Sequence, residues 1–423
     1  MNQSGFHKIA VIGLGYIGLP TATMFASRKL QVLGVDINQH AVDTVNSGRV
    51  HIVEPDLDIA VRSVVDQGYL RAASKPEAAD AFILAVPTPF KGENHEPDVS
   101  YVRKAALAIA PVLAAGNLVL LESTSPVGTT AQLANWLAEA RPDLSFPQQA
   151  GEASDIRIAY CPERVLPGRV MQELVSNDRI IGGMTAKCAE AAARLYRIFV
   201  QGECLTASSP AIAEMAKLTE NSFRDVNIAF ANELSLICDK LGIDVWELIR
   251  LSNRHPRVKI LQPGPGVGGH CIAVDPWFIV SSAPEAARLI RTARQVNDSK
   301  PEWVIEKVQA AVGAHLSAHP NQTAKDVAIA CYGLAFKPDI DDLRESPALE
   351  ITRHLAAHHP GPVLVVEPNI TTLPQGLGTA QLVEMPTAQN AQVHVLLVDH
   401  RPFKASPKPN GKVVDTRGVW PTQ

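Results

Sequence analysis

One cysteine of this chain lies in a segment that could present a nucleophile to a ligand. Cys271 ends the run PGPGVGGHC, in which four glycines precede the thiol. Glycines let the backbone approach a ligand closely and offer amide donors to it. A thiolate attacks a carbonyl carbon, and a nearby cation lowers its pKa. A single cysteine is usually an inert, small apolar side chain, but the glycine-rich setting favours covalent catalysis by Cys271.

A polar stripe is predicted on an otherwise apolar helix. Lys217, Asn221 and Arg224 lie at positions i, i+4 and i+7 of the segment AEMAKLTENSFRD, so they share one helix face. On an exposed helix such a stripe is only a solvated surface. On a helix that is mostly apolar, buried polar groups need partners, and a substrate can provide them.

Further candidates stand where predicted strands end. Glu163 follows the run RIAYCP, which is a suitable position for an acid–base carboxylate, although an ordinary loop pair with Arg164 is equally compatible. Thr88 follows AFILAVP, and Thr124 follows NLVLLES. Ligands gather at the carboxyl ends of strands in open α/β sheets. Each threonine, taken alone, is more often a turn residue.

The charge of the chain constrains its partners. The net charge of -4 and the pI near 6.4 give no reason to expect nucleic acid or an anionic membrane as a partner. An anionic substrate therefore requires a local cationic cluster. Arg254, His255 and Arg257 precede the glycine loop, and Lys337 and Arg344 follow a predicted strand, where a phosphate-binding turn or a salt-bridged loop is possible.

A dinucleotide fingerprint stands near the N-terminus. Gly13, Gly15 and Gly18 form GxGxxG between the strand KIAVI and a helical pattern, where they allow a tight turn, close approach of a pyrophosphate and close helix packing. Asp36 ends the next strand, at the distance expected of a ribose-binding carboxylate. Because this carboxylate would repel a 2′-phosphate, the fingerprint favours NAD over NADP.

The rhythm of apolar runs predicts the elements that carry these residues. Strands alternate with helical patterns in the first half and again after about residue 325, with one long helical pattern over 210–253 that only Gly242 interrupts. This pattern predicts an α/β fold with two Rossmann-like doubly wound parallel sheets joined by a long central helix. The predicted domains are residues 1–207, 208–320 and 321–423.

Cysteine usage and the N-terminal sequence predict the compartment. The six cysteines are scattered without a CxxC pair, which favours reduced thiols in the cytoplasm. The N-terminus lacks the pattern of a signal peptide. The most apolar stretch, 105–121, is interrupted by proline, glycine and asparagine and is too short to span a membrane. Neither membrane association nor a metal site is expected.

Together these segments resemble the UDP-glucose/GDP-mannose dehydrogenase family over nearly the whole chain. The matching motifs are GLGYIGLP, VPTP, STSPVGT, CPER, EMAKLTENSFRDVNIAFANE, GPGVGGHCIAVDP and GLAFKPDIDDLRESP. The resemblance implies an NAD domain, a central helix that forms a homodimer, and a UDP domain. It also implies a four-electron oxidation of a sugar CH2OH to a carboxylate, with NAD as acceptor.

The resemblance also assigns roles to individual residues. Cys271 would hold the aldehyde as a thiohemiacetal and then as a thioester, with Lys217 as base or electrostatic stabiliser and Asn221 beside the oxyanion. The residues expected to activate, position or shuttle protons for the hydrolytic water are Asp275, Glu163 and Thr124. The expected cofactor contacts are Gly13, Gly15, Tyr16, Ile17, Gly18, Asp36, Thr88 and Thr130. The expected substrate contacts are Arg164, Val165, Lys217, Asn221, Arg224, Arg254, His255, Arg257, Gly268, Phe336, Lys337 and Arg344.

The sugar is the least determined part of this interpretation. The segment NRHPRVKILQPGPGVGGHCIAVDPWF resembles family members that act on UDP-N-acetylhexosamines. The segments HIVEPDL, TPFKG and FPQQ resemble those of family members that act on the manno epimer. No residue identifies the configuration at C2 unambiguously, so the gluco epimer stays an alternative. A two-electron β-hydroxyacid dehydrogenase and a non-catalytic NAD sensor are the remaining rivals, and neither requires the thiol.

Overall fold

The computed structural model describes residues 5–92, 95–166, 168–269 and 271–420. The chain divides into two compact units. The N-terminal unit comprises Met1–Glu220 and Trp277–Ser282, and the C-terminal unit comprises Asn221–Pro276 and Ala283–Gln423. Within the described residues, no helix is both long and apolar enough to cross a lipid bilayer.

The N-terminal unit is built on an eight-stranded sheet with the order β10-β9-β8-β7-β4-β1-β2-β3. Its strands are β1 Lys8–Ile12, β2 Gln31–Val35, β3 Leu70–Ala73, β4 Ala81–Leu84, β7 Leu118–Leu121, β8 Arg157–Tyr160, β9 Arg179–Gly183 and β10 Cys204–Ala207. A separate hairpin pairs β5 Phe90–Lys91 with β6 Glu96–Pro97. All neighbours in the large sheet are parallel except β8 and β9, which are antiparallel. The doubly wound parallel fold is confirmed, with this antiparallel pair as an unforeseen detail.

Helices cover both faces of this sheet. They are α1 Gly18–Ser27, α2 Gln39–Asn46, α3 Leu57–Asp66, α4 Ser100–Ile109, α5 Thr129–Ala140, α6 Pro147–Ala150, α7 Val170–Ser176 and α8 Ala186–Tyr196. Alternate residues of one strand belong to different cores: Ile9 and Val11 to one, and Ala10 and Ile12 to the other. Because both faces are buried, the strands are continuous apolar runs in the sequence.

The central helical pattern forms two helices. α9 runs over Pro210–Leu241 and α10 over Val245–Ser252. Gly242 separates them in a left-handed conformation with φ +67°, which favours glycine. Asp244 begins α10, because its side chain accepts hydrogen bonds from the amides of Trp246 and Glu247. The sequence located this break correctly.

The C-terminal unit contains a second parallel sheet with the order β13-β12-β11-β14-β15. Its strands are β11 Ile329–Tyr332, β12 Val363–Val366, β13 Gln381–Leu382, β14 Val393–Leu396 and β15 Lys412–Asp415. The α-helices that follow α10 in the described residues are α11 Asp275–Ser282, α12 Arg288–Ala318, α13 Pro347–His358, α14 Met385–Ala388 and α15 Arg401–Lys404. This sheet confirms the second Rossmann-like fold.

Candidate active site

The glycine fingerprint forms a tight turn between β1 and α1. Gly13 has φ +97°, and its amide donates to the Val35 carbonyl at 2.7 Å. A Cβ on Gly13 would lie 2.4 Å from the Ala85 carbonyl oxygen, and one on Gly18 would lie 1.8 Å from the oxygen of Gly13. A Cβ on Gly15 would meet nothing within 4 Å. The backbone at Gly15 is therefore open, as a cradle for a pyrophosphate requires.

Asp36 connects this turn to the end of β2. One carboxylate oxygen accepts the Leu14 amide at 2.8 Å, and the other accepts the Asn38 amide at 2.8 Å. The residue is only partly buried. A carboxylate held in this way beside the glycine turn fits the ribose hydroxyls of NAD. Asp36 and the three glycines would hold the dinucleotide.

The two threonines at the strand ends lie together. The Thr88 hydroxyl donates to the Thr124 carbonyl at 2.6 Å. Thr130 is engaged differently, since its hydroxyl and its amide donate to one oxygen of the buried Glu214 carboxylate at 2.6 and 2.8 Å. The other oxygen of Glu214 accepts the Gly128 amide at 2.6 Å, so this carboxylate caps the N-terminus of α5. Glu214 was not among the residues predicted from the sequence.

Glu163 is a buried carboxyl group beside a cation. It is 8% exposed, and the backbone amide of Val165 donates to it. Burial raises the pKa of Glu163, and the nearby Lys217 ammonium opposes that rise. Arg164 does not pair with Glu163 but forms an ion pair with Glu220 of α9 at 2.7 Å. A carboxyl with a raised pKa beside a lysine is suited to acid–base chemistry.

Glu122 is a further buried carboxyl group of the N-terminal unit, and it was not predicted from the sequence. Glu122 follows β7 directly and is 1% exposed. Burial raises its pKa to about 7, against the opposing effects of Arg179 and of a hydrogen bond from the Tyr196 hydroxyl at 3.0 Å. Thr21 of α1 also donates to it, at 3.3 Å. An acidic residue inside the apolar run NLVLLEST was the available signal.

In the C-terminal unit, the loop that carries the thiol continues into α11. Cys271 is exposed, and its carbonyl accepts the amides of Val274 and Asp275 at 3.1 and 2.8 Å. Asp275 is 3% exposed and its carboxylate accepts a hydrogen bond of 2.5 Å from the Asn221 side chain. Two residues that the sequence assigned to catalysis are thus in direct contact.

The thiol loop lies against the turn that follows β11. A Cβ on Gly268 would lie 2.4 Å from the Glu345 carbonyl oxygen, and one on Gly269 would lie 2.8 Å from the Phe336 ring. The Gly269 amide donates to the Arg344 carbonyl at 3.2 Å. The glycines before the cysteine are therefore required by close approach to the predicted substrate segment.

The other predicted substrate contacts differ in exposure. Lys217 and Asn221 are buried. The exposed ones are Arg224, Arg254, His255, Arg257 and Arg344. The Arg344 guanidinium is paired with the Asp342 carboxylate, with a closest distance of 2.6 Å. The loop of Arg254 and Arg257 is closed by the Asn253 side chain, which exchanges two hydrogen bonds with the Ile260 backbone at 2.7 and 3.0 Å.

These features are those of a dinucleotide-binding protein with an exposed thiol on a glycine-rich loop. Comparison with known proteins identifies its family. Three domain models of the UDP-glucose/GDP-mannose dehydrogenase family match the chain: the NAD binding domain over residues 7–200, the central domain over 211–299 and the UDP binding domain over 330–422. The chain belongs to the UDP-glucose/GDP-mannose dehydrogenase family and is an NAD-dependent oxidoreductase.

Individual relatives extend over the whole chain. A UDP-N-acetyl-D-mannosamine dehydrogenase from Yersinia pestis is 66% identical over 420 residues, which cover 98% of this chain and 99% of the relative. An NDP-N-acetyl-D-galactosaminuronic acid dehydrogenase from Ralstonia nicotianae is 62% identical over 419 residues, covering 98% and 96%. The solved structure of a UDP-D-ManNAc dehydrogenase from Pyrococcus horikoshii has a TM-score of 0.87 at 38% identity, covering 98% and 96%.

Proposed function

We propose that this protein oxidises C6 of UDP-N-acetyl-D-mannosamine to a carboxylate. The observation that carries the proposal is the exposed Cys271 on a loop that lies against the turn after β11, within the region matched by the central and UDP-binding domain models. The Yersinia pestis relative supports the manno configuration. The product, UDP-N-acetyl-D-mannosaminuronate, is a precursor for bacterial surface polysaccharide of the enterobacterial common antigen type.

The chemistry proceeds in two oxidations and one hydrolysis. NAD, when bound, accepts a hydride in each oxidation. Cys271 Sγ bonds the carbon of the aldehyde from the first oxidation, and the resulting thiohemiacetal loses the second hydride to become a thioester. Water cleaves the C–S bond, which gives the carboxylate and returns the thiol. In sum, CH2OH, two NAD⁺ and water give COO⁻, two NADH and three protons. The covalent bond keeps the aldehyde from escaping between the oxidations.

The described contacts support separate roles for the polar side chains. The Asn221 side chain fixes the Asp275 carboxylate at 2.5 Å, so Asp275 is oriented for proton transfer. Glu163, whose pKa burial raises beside Lys217, takes or returns the proton of the hydrolytic water. Lys217 stabilises the developing oxyanion. Thr124, whose carbonyl accepts the Thr88 hydroxyl, positions the water.

The sugar is tested by identifying the product. Purified protein is incubated with NAD and, in separate reactions, with UDP-N-acetylmannosamine, UDP-N-acetylglucosamine or UDP-N-acetylgalactosamine. We expect mass spectrometry to show the mannosaminuronate product and steady-state assays to give the highest kcat/KM on the manno substrate. A higher kcat/KM on the gluco epimer would overturn the manno assignment. The galacto sugar is included because the Ralstonia nicotianae relative carries galactosaminuronic acid in its name.

We also propose that the protein forms a homodimer through α9. Phe223, Phe230 and Ile237 are 69%, 52% and 46% exposed. They are spaced by seven residues, which places them along one face of the helix. An exposed apolar stripe of this kind marks a protein interface. The same helix in a second copy of the chain is the partner that a twofold-symmetric dimer would supply.

Replacing Phe230 by glutamate is expected to dissociate this dimer, because the charge would be desolvated at the centre of the stripe. Light scattering coupled to gel filtration should then give the mass of one chain, 45.5 kDa, instead of twice that value. The matched control is Ile59→Glu on α3, which also replaces an exposed apolar side chain and should remain dimeric. A wild-type protein that is monomeric at micromolar concentration would refute the proposed dimer.

The cytoplasm is the proposed compartment. The six cysteines are scattered along the chain without a CxxC pair, which favours reduced thiols.

A further inference from the structure

The turn after β11 repeats the geometry of the NAD-binding turn within its own sheet. Gly333 has φ +94°, and its amide donates to the Val366 carbonyl at 2.9 Å, as the Gly13 amide does to Val35. The Leu334 amide donates to the Glu367 carboxylate at 2.7 Å, as the Leu14 amide does to Asp36. Glu367 therefore occupies the position, relative to its own turn, at which Asp36 is expected to hold a ribose.

Glu367 is nevertheless engaged entirely inside the protein. It is 4% exposed and accepts hydrogen bonds from the Leu334 and Ala335 amides, from the amide and side chain of Asn369, and from His400 Nε2 at 3.0 Å. Burial alone would raise its pKa, but the bonds from His400 and from the amides hold the pKa below its usual value. The Glu367 carboxylate is therefore bound to an internal histidine and to nearby amides.

His400 also binds the backbone of Asp339, which lies in the segment after the turn. Its Nδ1 accepts the Asp339 amide at 2.9 Å, so the ring hydrogen is on Nε2, where it is donated to Glu367. Asp339 has φ +61°, a left-handed conformation that favours glycine. Its carboxylate is held by the backbone amide and Nε of Arg401 at 3.0 and 2.9 Å.

The constrained residue lies next to the predicted substrate contacts. Asp339 follows Lys337 by two residues, and the Phe336 amide donates to the Asp342 carbonyl at 3.1 Å, which closes the segment into a loop. The Phe336 ring lies where a side chain on Gly269 of the thiol loop would have to be. A shift of Asp339 would therefore move Phe336 and Lys337 together.

We propose that His400, oriented by Glu367, is a positioning residue that fixes Phe336 and Lys337 for binding of the UDP part of the substrate. The inference rests on the proposed function, because it takes the 336–344 segment as the nucleotide contact. In this proposal Glu367, which follows β12, orients His400, whereas Asp36, which follows β2, is expected to bind the ribose of NAD. Neither His400 nor Glu367 needs to touch the substrate.

Two variants of the full-length protein test this role. His400→Phe keeps a ring but removes the hydrogen bonds to Glu367, to the Asp339 amide and to the Asn369 side chain. His400→Asn keeps an acceptor where Nδ1 stood. We expect His400→Phe to raise the UDP dissociation constant and the KM for the UDP-sugar about tenfold, within the range for an unsatisfied buried donor. The KM for NAD should stay within about twofold of wild type, and His400→Asn should recover part of the UDP affinity.

The matched control is His394→Phe. His394 is also fully buried, on β14, and each of its ring nitrogens also has a hydrogen-bond partner, the Tyr332 hydroxyl at 3.1 Å and the Asn410 carbonyl at 2.7 Å. Its loss should lower the melting temperature without changing the UDP dissociation constant. The inference would be overturned if His394→Phe weakened UDP binding as much as His400→Phe does. It would also be overturned if His400→Phe raised the KM for NAD as much as the KM for the UDP-sugar, or if His400→Phe left the UDP dissociation constant unchanged. Should His400→Phe not fold, unchanged UDP affinity in His400→Asn would overturn it and weakened affinity would support it.

The proposed substrate is tested separately. UDP affinity is measured by calorimetry without sugar oxidation, whereas the substrate is identified from the wild-type product. A wild-type protein that binds UDP but does not oxidise UDP-N-acetylmannosamine would refute the proposed function. The UDP affinities of the His400 variants would then still test the role of His400. A wild type that does not bind UDP would refute both.

Discussion

Replacing Cys271 by serine is expected to reduce carboxylate formation by about 10³-fold or more, the scale of losing a covalent nucleophile. A serine hydroxyl is nearly isosteric with the thiol but is far less nucleophilic at neutral pH. Binding of the UDP-sugar should survive, because the 263–269 backbone and its contacts with Phe336 and Arg344 are unchanged. Calorimetry with UDP-sugar and assays of NADH and carboxylate measure the two effects separately.

The stoichiometry of the wild-type protein completes this test. A four-electron oxidation yields about two NADH per sugar, whereas a β-hydroxyacid dehydrogenase yields one. Cys204→Ser is the control, because Cys204 is partly exposed but lies on an edge strand of the N-terminal sheet. It should retain full turnover. One NADH per sugar in wild type, or an active Cys271→Ser variant, would contradict the thioester chemistry.

Replacing Gly268 by alanine is expected to lower kcat/KM for the UDP-sugar by about 100-fold, since misplacing reacting groups by about 1 Å has an effect of this size. The new Cβ would lie 2.4 Å from the Glu345 carbonyl oxygen and 2.8 Å from Pro347 Cδ, neither of which belongs to a flexible side chain. The thiol loop must therefore move away from the turn after β11. Steady-state kinetics should show a nearly unchanged KM for NAD.

Gly313→Ala is the matched control for this substitution. Gly313 lies inside α12, and a Cβ there would meet nothing within 4 Å. Alanine in a helix interior should stabilise the protein by about 0.5–1 kcal/mol and leave the kinetics unchanged. If Gly268→Ala keeps kcat/KM within threefold of wild type, the close approach of the thiol loop to Phe336 is not required for activity.

The local elements were predictable because each depends on neighbouring residues. Two-sided burial makes β1 and β11 uninterrupted apolar runs, and Gly242 divides the long helical pattern through a backbone preference. The antiparallel β9 was not recognised. Pairing direction depends on strands that are distant in the sequence, and RIIGG contains no feature that specifies it.

The roles expected for individual residues came from chemistry and family resemblance, and they stay predictions until the variants are measured. Residue type alone could suggest that Asn221 and Asp275 act together, but only the fold brings their side chains to 2.5 Å across 54 residues of chain.

The sequence by itself determined the family, the cofactor and the two parallel sheets, because these are encoded in short motifs and in periodicity, and it predicted Cys271 as the reactive thiol. Tertiary structure alone decided which carboxylates are buried. Glu122, Glu214 and Glu367 are ordinary glutamates in the sequence, and most of their hydrogen bonds come from residues 32 to 101 positions away. Desolvation and hydrogen bonding set the charge state of a carboxylate, and both depend on atoms that only folding brings near.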